Sequence, residues 1–139
     1  MRIIGGKYKG KRFTPPANFK SRPTTDFAKE GLFNMLSTRF DLEGISVLDL
    51  FAGTGSIGYE FASRGATVVA VDQNPDAFRF VVRTCKKLDI EEVKPIRADV
   101  FKFLKRCTQK FDLVFADPPY HLRNIADIPV LVFEKAILN

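Results

Sequence analysis

The chain has 139 residues, of which 45% are hydrophobic and 27% charged, with nine glycines and eight prolines, a composition that excludes collagen-like, low-complexity and disordered classes and fits one domain. Its apolar runs, such as 68–71 and 129–133, fall short of the ~20 residues that a membrane-spanning helix requires. The formal net charge is +6, unevenly spread: residues 1–40 hold nine Lys and Arg against Asp26 and Glu30, whereas residues 41–139 hold thirteen against fourteen acids.

A positive excess confined to one arm is expected where that arm meets a polyanion. Arg2, Lys7, Lys9, Lys11, Arg12 and Arg22 are the candidate contacts, and Tyr8, Phe13 and Phe19 lie among them, which suits base stacking. A solvated basic face that aids solubility is the alternative. The opening residues lack the apolar core of about 7–15 residues that a secretion signal carries, so a cytoplasmic protein is expected. Two cysteines, Cys85 and Cys107, and the lone His121 supply neither a disulfide framework nor a metal-ligand set, so no metal is expected.

In chain order, residues 2–4 and 11–13 read as two short strands around glycine turns, a small hairpin. Pro15 and Pro16 end regular structure, and Thr24, Thr25 or Asp26 caps a helix whose apolar face is Ala28, Leu32, Met35 and Leu36. Gly31 sits inside that helix at a cost of about 1 kcal/mol relative to alanine. The pattern then alternates: strand 45–50, helix 56–64, strand 67–71, and a helix 75–88 with Pro75 in its first turn after a candidate Asn74 cap. A weaker strand 93–97 follows, suited to a sheet edge by Pro95, then helix 100–107, strand 111–116 and helix 129–138. This alternation predicts an α/β doubly wound domain with a mostly parallel sheet, helices on both faces and right-handed crossovers. Ligands of such sheets bind beyond the carboxyl ends of the strands, where strand order reverses.

Gly53-Thr54-Gly55-Ser56-Ile57-Gly58 follows a strand and opens a helix, and Asp72 lies 19 residues after Gly53. That is the spacing of a dinucleotide fingerprint. Asp49, just before the loop, opposes a pyrophosphate and favours a ligand with an ammonium and a sulfonium, such as S-adenosylmethionine. Asp49, Phe51, Gly53 and Gly55 then surround the amino-acid tail. Asp72, with Gln73 beside it, takes the ribose diol, and Asp99 and Val100 address the adenine edge. Asp49 as a mere loop-bonded or capping carboxylate is the competing account.

Asp117-Pro118-Pro119-Tyr120 follows the strand 111–116. An exocyclic amino group on a nucleobase is a weak nucleophile because its lone pair is delocalised into the ring. The Asp117 carboxylate and the Pro118 carbonyl can each accept one amino hydrogen, which turns the lone pair toward a methyl donor. The two prolines stiffen the loop and offer no competing N–H, and Tyr120 can stack on an extruded base.

With these motifs together, the chain resembles the bacterial small-subunit ribosomal RNA (guanine-N2) methyltransferases of the Rossmann-like class. The likeness runs through RIIGGKYKGKRF, RPTTDFAKEGLFN, DLFAGTGSIGYEFASRGA, VDQN, ADVFKFL and DPPY. It implies methyl transfer from S-adenosylmethionine to the N2 amino group of a guanine in small-subunit rRNA, with an assembling ribosomal subunit as partner. It matches Asp49, Gly53, Gly55 and Asp72 to cofactor binding, Asp99 to the adenine side, 117–120 to catalysis, and the basic arm 1–22 ahead of a core 23–139 to RNA holding. Other amino-directed methyltransferases, acting on DNA adenine or protein glutamine, share the loop motifs, and a non-catalytic RNA-binding remnant is a third reading. Two departures stand out. Phe27 and Gly31 occupy positions where the family more often has arginine and alanine. Only 22 residues follow Asp117, so about three C-terminal strands of the family fold are expected to be missing, leaving strand 111–116 at an apolar edge.

Overall fold

The computed structural model describes residues 1–19, 24–119, 122 and 125–139, so Arg22, Tyr120 and His121 lie outside the described residues. Helix α1 (Asp26–Arg39) precedes β1 (Ser46–Leu50), α2 (Ser56–Ser63), β2 (Thr67–Asp72), α3 (Pro75–Leu88), β3 (Val93–Arg97), α4 (Val100–Arg106), β4 (Leu113–Ala116) and α5 (Asp127–Glu134). The caps anticipated from sequence form: the Thr25 side chain accepts from the Ala28 N–H, and Asn74 accepts from the N–H groups of Asp76 and Ala77.

The strands pair in parallel in the order β3-β2-β1-β4. Strand order therefore reverses between β1 and β4, and their carboxyl ends open the crevice in which such sheets bind ligands. Side chains alternate across the sheet. Val47, Val68 and Ala70 enter one core with Phe33, Tyr59, Phe61 and Phe80, while Leu48, Leu50, Val69 and Val71 enter the other with Val100, Leu104, Ile128 and Val132. Pro95 sits in the outer strand β3, where its missing N–H costs least.

The N-terminal hairpin forms as one antiparallel bridge, Arg2 to Arg12, but it is part of the core. Ile3 and Phe13 are buried, the Phe13 ring meets Tyr59 edge-on at 5.0 Å, and Phe19 packs on Phe80 at 5.8 Å. The Tyr8 hydroxyl donates to Glu92 at 2.7 Å. Phe13 is thus committed to the core, where burial stabilises it, while half-buried Tyr8 and Phe19 pack against the protein with part of each residue still exposed.

Helix α1 corrects a second expectation. Its buried residues are Lys29 and Phe33; Leu32 and Leu36 are half-buried, and Ala28 and Met35 are exposed. The cause is an ion pair that hydrophobic periodicity cannot register: fully buried Lys29 meets fully buried Glu60 of α2 at 3.0 Å and donates to the Arg2 carbonyl at 2.6 Å. Glu60 also receives Arg64 at 2.8 Å and the Ile4 N–H. Arm, α1 and α2 are joined at one desolvated, hydrogen-bonded point.

At the far end, β4 covers Leu113–Ala116 and α5 stops at Glu134, earlier than the helical reading of 129–138. Ala136 takes a positive φ of 50°, and the following residues lie parallel to Phe111, which donates to the Ile137 carbonyl at 2.7 Å and accepts from the Asn139 N–H at 2.8 Å. Apolar Ile137 and Leu138 continue the helical pattern, yet backbone pairing beside the strand claims them. Residues Leu113–Ala116 have no strand on their outer side among the described residues, whereas Phe111, expected on the same open edge, is covered by residues 137–139.

Candidate active site at the carboxyl ends of β1, β2 and β4

Beyond Leu50 the chain turns sharply. Phe51, Gly53 and Gly55 all have positive φ (60°, 57° and 83°) before α2 begins at Ser56. Phe51 holds this conformation despite its side chain, a cost of the kind found at ligand sites. The glycines answer to steric limits: a Cβ on Gly55 would stand 2.6 Å from the Tyr59 ring, and one on Gly58 3.3 Å from Asp49 Oδ2.

Asp49 is 2% exposed, and its Oδ2 has no hydrogen-bond partner. Burial, then the charges of Asp72 and Asp117, push its carboxyl up to about 8, against the pull of the Gly58 N–H. The Gly58 N–H lies in the first turn of α2, so the loop-bonded account of this residue keeps a partner, while Oδ2 stays without one. Asp72 behaves differently: its Oδ2 accepts from the Gly53 N–H and its Oδ1 from the Asn74 N–H, each at 2.9 Å. It therefore anchors the glycine loop as well as facing the crevice. Asp99 does act as a cap, accepting from the Lys102 N–H at 3.0 Å at the start of α4.

Asp49, Phe51, Gly53, Asp72, Gln73, Asp99, Val100, Asp117, Pro118 and Pro119 all line one cavity of about 650 Å³, whereas Gly55 is not among its lining residues. Sequence reasoning missed the apolar walls Ile57, Phe101 and Phe115, and Ser56, whose buried Oγ also lacks a partner. Nothing in the sequence distinguished those apolar residues from ordinary core. Four aspartates line the cavity, Asp49 as a carboxylic acid at neutral pH, and, among the described residues, no Lys or Arg does. Such a pocket repels phosphates and attracts a cationic ligand that also has hydroxyls and an apolar ring.

The expected RNA contacts divide. Arg2 pairs with Asp26 at 2.9 Å, Lys7 with Glu92 at 3.3 Å, and Lys11 donates to the Leu88 carbonyl at 2.6 Å. Lys9 and Arg12 have no ion pair among the described residues. Among the described residues no group of three His, Cys, Asp or Glu is placed to hold a metal ion, and no helix is long and apolar enough to cross a membrane.

A four-stranded parallel sheet of this order, with a glycine loop after β1 and acids at the ends of β1, β2 and β4, defines the Rossmann-like α/β fold of S-adenosylmethionine-dependent methyltransferases. More narrowly, the chain belongs to the family described as conserved hypothetical protein 95, which it matches over residues 1–139. It is 37% identical over 122 residues to ribosomal RNA small subunit methyltransferase D of Buchnera aphidicola subsp. Baizongia pistaciae, covering 86% of this chain and 61% of that protein. With the protein of the same name from Escherichia coli K12 it shares 32% identity over 123 residues, 86% of this chain and 60% of that one. The solved structure of yhhF from Escherichia coli superposes with a TM-score of 0.87 at 26% identity, over 100% of this chain and 75% of that one. The chain thus spans about three-fifths of the length of these curated relatives.

Proposed function

We propose that this chain binds S-adenosylmethionine and belongs to an enzyme that methylates the N2 amino group of a guanine in small-subunit rRNA. The observation that carries the reading is the buried, unpartnered Asp49 oxygen in a cavity lined by four aspartates and, among the described residues, by no cation. A dinucleotide would set two phosphates against those acids, so the spacing that also fits a dinucleotide fingerprint is outweighed by charge.

S-Adenosylmethionine supplies an electrophilic methyl group on a sulfonium. Asp49 Oδ2 is the acceptor for the ammonium of its tail, and the glycine loop permits close backbone approach. Asp72 keeps lone pairs for a ribose diol while holding the Gly53 N–H, which couples loop geometry to ligand contact. Ile57, Val100 and Phe101 supply apolar surface for an adenine ring. Asp117 and the Pro118 carbonyl accept the two hydrogens of a base amino group, orient its lone pair and offset the positive charge that grows on nitrogen. A target in an assembling small subunit fits Lys9 and Arg12, which have no ion pair among the described residues, and places the reaction in the cytoplasm.

Calorimetric titration with S-adenosylhomocysteine tests the pocket, with one site per chain expected. Tritium transfer from labelled S-adenosylmethionine to small ribosomal subunits, followed by nucleoside analysis, tests the substrate. Label on adenine or on protein in place of guanine N2 refutes the assignment.

A further inference from the structure

We propose that Phe27, with Gly31 beside it, is a stacking platform for the nucleotide adjoining the one that enters the cofactor cavity; this rests on the rRNA reading above. Phe27 is 88% exposed, the most exposed of the large hydrophobic residues described. Gly31 stands one turn further along α1, and nothing lies within 4 Å of where its Cβ would be. Helical side chains lean toward the N-terminus, so an ordinary residue at 31 would cover the Phe27 ring. Glycine leaves that face open, at a position where helices disfavour it.

The surroundings are polar and of mixed charge, which does not suit an apolar partner. Asp26, Glu30 and Asn34 form the helix row next to Phe27 and line a second cavity of about 410 Å³, whose lining also includes Arg2, Lys9 and Arg64. Arg2 and Arg64 are held by Asp26 and Glu60, whereas Lys9 has no ion pair among the described residues and is available to a phosphate. Thr24 lines the cofactor cavity and Asp26 the second one. Two peptide units separate these residues, a span of at most ~7.6 Å between their Cα atoms. Phe27 follows Thr24 by three peptide units, at most ~11.4 Å between Cα atoms, so it stands at the end of α1 that adjoins a residue lining the cofactor cavity.

The test uses filter binding of a small-subunit rRNA transcript to the whole chain. Loss of one base–aromatic stack should weaken binding ~5- to 150-fold in Phe27→Ala, and Phe27→Trp should restore it. The slope of affinity against salt should stay unchanged in Phe27→Ala, because no charge is lost. Gly31→Leu should weaken binding with the ring intact. S-Adenosylhomocysteine affinity should not move in any of these variants, and melting temperature should stay unchanged in the Phe27 variants and rise in Gly31→Leu, which removes the glycine cost in α1. Wild-type affinity in Phe27→Ala overturns the platform, and so does wild-type affinity in Phe27→Leu, which would mean apolar burial against a protein-like surface. A wild-type chain that takes S-adenosylhomocysteine but holds no rRNA overturns the rRNA reading itself, and the platform with it.

Discussion

Replacing Asp49 by asparagine tests the electrostatic basis of the pocket without enlarging it. The carboxyl stands at about 8 in the folded chain and near 3.9 in an unfolded one. Between those values the native state holds a proton that the unfolded state has released, so this group makes stability fall as pH rises through that window. The slope is ~1.4 kcal/mol per pH unit, which amounts to ~3 kcal/mol between about pH 5 and 7.5. The amide of Asp49→Asn cannot ionise and removes that dependence. Urea unfolding of both chains at several pH values should show the variant gaining on the wild type by that amount as pH rises, and losing S-adenosylhomocysteine binding throughout. In the wild type, an ammonium seated at Asp49 draws the proton off, so binding near pH 7 should release about one proton, read from calorimetric heats in buffers of different ionisation enthalpy. A stability difference that stays flat with pH, or binding without proton release, refutes the placement of an ionisable, desolvated acid beneath the ligand.

Asp117→Ala should abolish methyl transfer while leaving S-adenosylhomocysteine affinity within a few fold, by calorimetry beside the tritium assay, because its assigned contact is to the base. Lys29→Met strands buried Glu60, which keeps only Arg64 and the Ile4 N–H; it should cost about 3 kcal/mol in urea unfolding, and the double change with Glu60→Leu should recover most of it. Replacing Lys9 and Arg12 together should lower the salt slope of rRNA binding by roughly two, about one per phosphate contact, whereas Lys7→Ala, already paired with Glu92, should change the slope less and destabilise the arm.

Much of the fold was legible because its signals are local. The apolar runs within 45–50 and 67–71, Asn74 with Pro75, and Pro95 each encode strand, cap or edge within a few residues. The order Asp49, Gly53, Gly55, Asp72, Asp117 was likewise readable, since strand ends in a parallel sheet converge whatever the intervening helices contain. Other features had no local trace. The burial of Lys29 against Glu60 spans 31 positions, and the seating of Phe13 on Tyr59 spans 46. Both defeat periodicity, which counts a lysine as solvent-facing and an arm aromatic as free. The departure of 137–139 from a helical pattern was set by the Phe111 backbone, 26 to 28 residues away.

By itself, then, the order of amino acids determined the succession of strands and helices, the caps, the glycine turn and the set of acids, because short-range sterics and hydrogen bonding decide those. Only tertiary packing decided which carboxylate loses its partners and titrates near neutrality, which arm cations are consumed internally, and which aromatic stays in solvent. Desolvation and ion pairing depend on what surrounds a group in space, and those neighbours come from distant parts of the chain.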